Sequence, residues 1–191
     1  WVDLVYEDQG EPFRLFAGNC VIQPPEIRHK VLYASDNIEV IEIGVPAEHI
    51  TTIDHNMELP TKEFNPEREF KGQKFVHNKA AESEWIEFRI PGFKCRDTTI
   101  AENTKNVAGV QVVRPNGNAI KPTKHNCDIL FNFVMGGEMT LTASGQPPSI
   151  LKSGDAFVIP PDMLAEYSNV SKDLELLEVS LPGKFKTYYD T

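Results

Sequence analysis

The chain has 191 residues, of which 40% are apolar and 25% are charged, as expected for a soluble globular protein with one or two small domains. Its net charge of −9 argues against nucleic acid and anionic membrane surfaces as partners, and no apolar run is long enough to span a bilayer. Three cysteines without a CxxC pair indicate buried thiols in a reducing compartment, so we expect a cytoplasmic protein.

The first 45 residues contain short apolar stretches that alternate with turn residues. Strands are predicted at residues 1–6, 13–16, 20–22, 28–33 and 38–43. The double proline Pro24-Pro25 ends the third strand, because proline cannot donate to a central ladder.

Residues 47–84 are polar and show no sustained period, so they are predicted to form a connector with one helical turn near residues 79–84. Its histidines, His49, His55 and His77, have polar neighbours and are expected to be solvated.

Short strands return after residue 84 at regular spacing. They are predicted at residues 85–89, 95–100, 109–114, 129–135, 138–143, 149–151, 156–159, 164–168 and 174–181, and residues 184–191 are expected to form a surface tail. Regular strand spacing of this kind indicates an all-β sandwich or barrel. No long amphipathic helix lies between the strands, which argues against a parallel α/β fold.

The sequence contains an internal repeat at an offset of 136 residues. The copies align without a gap, and the matched pairs are Gly18 with Gly154, Pro24 with Pro160, Pro25 with Pro161, Glu39 with Glu175, Glu42 with Glu178 and Pro46 with Pro182. In both copies a glycine turn leads into an apolar strand, a double proline and a second strand.

The repeated stretch resembles the second conserved motif of the cupin superfamily, in which a histidine follows a glycine by eleven positions and an asparagine lies four positions further. Gly18, Pro24 and His29 match this motif in the first copy, where Tyr33 replaces the asparagine. The second copy matches at Gly154, Pro160 and Asn169, with Ala165 at the histidine position.

The resemblance implies an all-β bicupin with antiparallel jelly-roll barrels. A partial first barrel would cover residues 1–46, the connector residues 47–84, and a complete second barrel residues 85–183. Strand edges left open in a partial barrel, with uncovered apolar residues such as Trp1, Val5 and Phe13, would favour a homodimer.

The family's first motif supplies most of its metal ligands, as His-x-His followed by glutamate. The corresponding positions here are Thr123, His125 and Leu130 (or Ile129), so the resemblance leaves His125 as one of the four usual ligands and no metal is expected in the second barrel. His125 is either a weak metal ligand or a histidine bonded to the backbone.

His29 also has two possible roles. It is either the last ligand of a divalent metal (Fe, Mn, Ni or Zn) in a full-length first barrel, or a pocket histidine bonded to the backbone. Alternation places His29 on the same strand face as Val31 and Tyr33.

Alternation from Leu130 and Ala165 places Asn132, Val134 and Tyr167 on the inward face of the second barrel. With Thr123 and His125 they would form a mostly apolar small-molecule pocket. Tyr33 is the pocket residue expected in the first barrel. The alternative is a barrel filled by its own side chains.

Two functions remain open at this point. The resemblance implies a metal-dependent enzyme, similar to a dioxygenase, decarboxylase or isomerase, acting on a small organic molecule through the first barrel. The alternative is a non-catalytic cupin that binds a small molecule or serves as a scaffold.

Overall fold

The structure is a computed structural model that describes residues 1–48, 50–117 and 120–189. The chain forms two compact units, Trp1–Lys79 and Ala80–Thr191. Both are built from antiparallel strands, which confirms the all-β prediction. The boundary between them lies inside the predicted connector, next to a 3₁₀ turn at Ala80–Glu82 that matches the helical turn expected there.

Besides the 3₁₀ turn at Ala80–Glu82, the second unit contains eleven strands and one short α-helix among its described residues. They are β8 (Ile86–Glu87), β9 (Phe93–Asp97), α1 (Ile100–Asn103), β10 (Gly109–Pro115), β11 (Thr123–His125), β12 (Ile129–Gly136), β13 (Glu138–Ala143), β14 (Ser149–Lys152), β15 (Ala156–Val158), β16 (Ala165–Ser168), β17 (Glu175–Leu181) and β18 (Thr187–Tyr189). One sheet has the order β15-β12-β17-β10-β9-β8, and the other has the order β14-β13-β16-β11-β18.

The strand order of the second unit is that of a jelly roll. Of the eight consecutive strands β10 to β17, the first pairs with the last, the second with the seventh, the third with the sixth and the fourth with the fifth. Strands from both ends of the segment therefore alternate in two facing sheets, which is how a jelly roll encloses its core. The jelly-roll fold predicted from the sequence is present in this unit.

The core of the second unit lies between the two sheets. Along β12, Leu130, Asn132 and Val134 are buried while the residues between them are more exposed, and β16 buries Ala165 and Tyr167 in the same way. The inward face predicted by alternation is confirmed. These residues, apart from Asn132, belong to one apolar cluster with Phe93, Met139 and Leu176.

The first unit contains seven strands among its described residues. They are β1 (Val2–Tyr6), β2 (Phe13–Leu15), β3 (Cys20–Ile22), β4 (His29–Ala34), β5 (Glu69–Phe70), β6 (Gln73–Lys74) and β7 (Val76–Asn78). They form a sheet of order β2-β1-β4 and the pairs β3-β7 and β5-β6. Since β5, β6 and β7 come from the segment predicted as a connector, its last part is an integral portion of the first unit.

A charged network ties this segment to the first sheet. Arg28 donates to both carboxylate oxygens of the buried Glu7, at 2.7 and 2.9 Å, and Arg68 donates to Glu7 and Asp8 at 2.8 Å. Arg28 also reaches Asp54 at 3.2 Å. The hydrogen bonds from Arg28, supported by Arg68, lower the pKa of Glu7 to about 2 although burial opposes them.

The repeat seen in the sequence is also structural. At an offset of 136 residues β1, β2, β3 and β4 of the first unit correspond to β13, β14, β15 and β16 of the second. The turn residues match too, because Gly18 and Gly154 have φ values of 84° and 94°, and Glu26 and Asp162 have φ values of 69° and 62°. Both turns use the left-handed region, which glycine adopts without a steric cost.

Residues 38–43 do not form the predicted strand. No strand lies within residues 35–48, and the apolar residues of this stretch are exposed, Val40 by 72%. A strand requires hydrogen bonds to a neighbour, and none of the described strands pairs with this stretch.

Other local predictions also need correction. The strand expected at residues 95–100 ends at Asp97, whose carboxylate accepts a hydrogen bond from the Thr99 backbone N–H at 2.8 Å, and Thr99 turns with φ of 62° into α1. Val5, expected to be uncovered, is fully buried. Part of the expected surface tail forms β18, which pairs with β11.

Candidate functional site

Four of the predicted pocket residues lie inside the second unit. Thr123 and His125 on β11, Asn132 on β12 and Tyr167 on β16 are each at most 6% exposed. The Tyr167 ring contacts the Phe157 ring edge-on, with centroids 6.1 Å apart. The fifth residue, Tyr33, belongs to the first unit and is 71% exposed.

His125 is held by the backbone on both sides of its ring. Its Nδ1 accepts a hydrogen bond from the Cys127 N–H at 3.1 Å, and its Nε2 donates to the Ile159 carbonyl at 3.1 Å. Burial, aided by the positive charge of Arg89, lowers the pKa of His125. The ring is therefore neutral with its proton on Nε2, and a metal ion would have to displace one of these two bonds.

An ion pair that the sequence did not predict lies in the interior of the second unit. Arg89 donates from Nε to Glu178 Oε1 at 3.0 Å and from Nη2 to Glu178 Oε2, and it also reaches the Thr187 hydroxyl at 3.4 Å. The Glu178 side chain is 4% exposed. Burial alone would lower the pKa of Arg89, but the adjacent Glu178 carboxylate raises it, so the guanidinium keeps its charge in the interior.

The sequence pattern indicates one member of this ion pair, Glu178, but not the other, Arg89. Glu178 occupies an inward position of β17, between Leu176 and Ser180, and a charged residue at such a position requires a partner. Arg89 gave no comparable signal, because it follows the short strand β8 and lies 89 residues away along the chain.

One buried polar group near the ion pair has no hydrogen-bond partner among the described residues. It is the side-chain nitrogen of Asn132, the cross-strand neighbour of Glu178. Burial raises the pKa of the nearby Tyr167 hydroxyl, while the charge of Arg89 and a hydrogen bond with Arg89 act in the opposite direction. Because buried polar groups are nearly always paired in proteins, the unpaired Asn132 nitrogen marks the interior as a candidate binding site.

Cavities open from the described part of the second unit. A cavity of about 120 Å³ reaches Glu178 beside Asp97, Gln111 and Lys184. A wider groove of about 630 Å³ lies on the outside at Pro160–Leu164 and contains none of the predicted pocket residues. The smaller cavity is the one that approaches the charged interior.

The residues of the second unit do not make up a metal-binding set. Thr123, Leu130 and Ala165 stand where the cupin motifs carry ligands, and the last two have no donor atom. Within residues 1–48, 50–117 and 120–189, no three His, Cys, Asp or Glu side chains are grouped so that they could hold a metal ion.

His29 lies in the first unit at the start of β4, on the surface, where its ring stacks on Tyr6 with centroids 5.3 Å apart. The register of β4 against β1 shifts between Val31, opposite Leu4, and Tyr33, opposite Asp3. Because of this shift Tyr33 faces the other side of the sheet from His29 and Val31, so the prediction of a shared face is wrong for Tyr33.

The connector histidines differ from one another. His55 is exposed as predicted, whereas His77 lies half-buried on β7 with its ring stacked 4.4 Å from that of Phe13. The prediction for His77 is therefore wrong, and that for His49 lies outside the described residues.

The fold and the interior define a jelly-roll protein with a buried polar cluster. Several solved structures are similar to it. KdgF from Halomonas sp. is 18% identical, the match covers 56% of this chain and 94% of that chain, and the TM-score is 0.48. The polyketide cyclase RemF from Streptomyces resistomycificus is 15% identical, with 59% of this chain and 83% of that chain covered and a TM-score of 0.49, and oxalate decarboxylase from Bacillus subtilis is 16% identical, with 57% and 30% covered and a TM-score of 0.47. No protein-family model matches the sequence, and no curated protein matches it. Among the described residues, no helix is long and apolar enough to cross a membrane.

Proposed function

We propose that the second unit is a non-catalytic cupin-type barrel that binds a small polar molecule in its interior. The observation that supports this is the buried side-chain nitrogen of Asn132, which has no hydrogen-bond partner among the described residues. Leaving a buried polar group unpaired costs about 1–3 kcal/mol. A bound molecule that accepts a hydrogen bond from Asn132 Nδ2 would remove that cost, and the Tyr167 hydroxyl, now bonded to Arg89, offers a second donor in the same interior.

The charges of the interior favour an uncharged ligand. Arg89 and Glu178 neutralise each other through two hydrogen bonds, and the neighbouring His125 is neutral. A further ion would therefore be desolvated without gaining a counter-charge. The ligand class that fits is a small neutral molecule with a carbonyl or hydroxyl oxygen, and its size is limited by the packed side chains of Leu130 and Val134.

The test is thermal unfolding with a panel of neutral two- to four-carbon amides, lactones and diols. At one hundred times its dissociation constant, a ligand should stabilise the protein by about 2.7 kcal/mol. The double variant Asn132→Leu/Tyr167→Phe should lose this effect, whereas Tyr189→Phe, whose hydroxyl bonds the Arg89 carbonyl at 2.7 Å, should keep it. A panel without any effect, or an equal effect in the double variant, would contradict the proposal.

A second candidate function is metal-dependent catalysis through the first barrel, by a dioxygenase-, decarboxylase- or isomerase-like reaction. It is favoured by the solvent-exposed ring of His29, eleven positions after Gly18. A divalent ion needs about four to six ligands, so His29 alone does not provide a site. If His29 is a ligand, Mn²⁺ or Zn²⁺ binding measured by calorimetry should disappear in His29→Ala and persist in His55→Ala.

We also propose a bicupin architecture and a homodimer. The bicupin is supported by the four strands that both units share at an offset of 136 residues. The homodimer is supported by apolar surface on the first unit, where Phe16 is 60% and Val31 56% exposed. Sedimentation at micromolar concentration tests the dimer, and a monomer there would exclude it.

A further inference from the structure

One sequence pattern occurs twice in this chain in two different environments. Residues 38–45, here called the 38–45 segment, read Ile-Glu-Val-Ile-Glu-Ile-Gly-Val, and residues 174–181 read Leu-Glu-Leu-Leu-Glu-Val-Ser-Leu. In the second unit Leu174 and Leu176 are each 1% exposed. Their counterparts Ile38 and Val40 are 38% and 72% exposed.

The difference lies in the neighbours. In the second unit this pattern forms β17, which is hydrogen-bonded to β10 on one side and to β12 on the other. The 38–45 segment has no strand on either side among the described residues. Its sequence follows that of β17, but it forms no strand and pairs with none of the described strands.

The two glutamates of this sequence pattern indicate what kind of strand would pair with it. On β17, Glu175 forms an ion pair with Arg114 of β10, and Glu178 forms one with Arg89. Their counterparts in the 38–45 segment, Glu39 and Glu42, form no ion pair with any residue that the structure describes, although the charge of Glu42 acts on the buried Tyr6. The strand that complements the pattern in the second unit, β10, is largely apolar and carries Arg114 opposite Glu175.

We propose that the 38–45 segment is the acceptor strand for an extended, apolar polypeptide segment of the chemistry of β10, with an arginine placed to meet Glu39. Such a segment would pair with residues 38–45, which belong to none of the described sheets, and order them as a strand. Backbone hydrogen bonds would supply affinity and the ion pair would set the register. A second copy of the 38–45 segment is a poor partner, because it would place four glutamates at one junction between chains of net charge −9.

The probe is a fluorescent peptide with the sequence of residues 109–115, which contains Arg114. Fluorescence anisotropy measures its binding to the 191-residue chain, and hydrogen exchange locates the site. We expect slower exchange of amides 38–45 on binding. Glu39→Arg should weaken binding at least tenfold, and the same peptide with glutamate in place of arginine should restore it.

The matched control is Glu11→Arg, which changes an exposed glutamate in the turn between β1 and β2 of the same unit and should leave the affinity unchanged. Equal losses for Glu11→Arg and Glu39→Arg would reduce the effect to net charge and overturn the proposal. Absence of binding at millimolar peptide, or protection located outside residues 38–45, would overturn it as well. So would protection of this segment without peptide in a sedimenting dimer, which would identify a second copy as the occupant.

Discussion

The Arg89–Glu178 ion pair should stabilise the second unit only while both partners are present. The two side chains are 16% and 4% exposed. Glu178→Gln leaves a buried guanidinium without a counter-charge, a change that costs about 3–5 kcal/mol. The same substitution at Glu175, on the same strand, removes the partner of Arg114, whose side chain is 49% exposed. Exposed pairs contribute about 0–1 kcal/mol.

Urea unfolding can measure this difference in a Trp1→Phe background, where Trp85 is the remaining tryptophan and reports on the second unit. Glu178→Gln should lower the free energy of unfolding by about 3–5 kcal/mol. Removing both charges in Arg89→Met/Glu178→Leu should recover most of that loss, since no unpaired ion is left. Equal losses for the two glutamates, or a double variant as unstable as Glu178→Gln, would refute the reasoning.

Three further predictions concern titrating groups. The pKa of Glu7 is about 2 in the folded protein against an ordinary value of 4.5. The stabilisation of the folded state by the Glu7 carboxylate is therefore present above pH 4.5 and is lost as the pH falls towards 2. The unfolding free energies of the wild type and of Glu7→Gln should converge over that range. His125 should stay neutral down to below pH 6.5 with its proton on Nε2, as long-range ¹H–¹⁵N NMR can show. Burial raises the pKa of Cys95 to about 11, so iodoacetamide at pH 8 should label it in urea far faster than in the folded protein, as followed by mass spectrometry.

Strand positions were predictable where side-chain alternation coincided with burial. Along β12 and β16 the period of two placed Asn132 and Tyr167 inside, and the structure agrees. The same reasoning failed for residues 38–43, whose pattern matches that of β17. Alternation reports which face of a strand is apolar, but a strand also needs neighbours, and only β17 has two of them.

The sequence did not predict short strands that are held by backbone pairing and show no apolar alternation. β11 and β18 have three residues each, and Lys124 and Tyr188 face one another in a pair that carries no apolar period. The site was predicted in part for a similar reason. Alternation found His125, but Arg89 reaches Glu178 only through the tertiary fold, and the register shift that turns Tyr33 away is a local irregularity of one strand pair.

The 38–45 segment also bears on how this protein behaves in concentrated solution. Exposed, β-prone stretches of five to seven apolar residues nucleate cross-β aggregates unless charges interrupt them. Glu39 and Glu42 are the interrupting charges here, and both lie on the surface. Replacing both with neutral residues removes the charge repulsion between chains at this segment. Such a variant should therefore aggregate faster than the wild type, most clearly at low ionic strength, where charge repulsion is least screened.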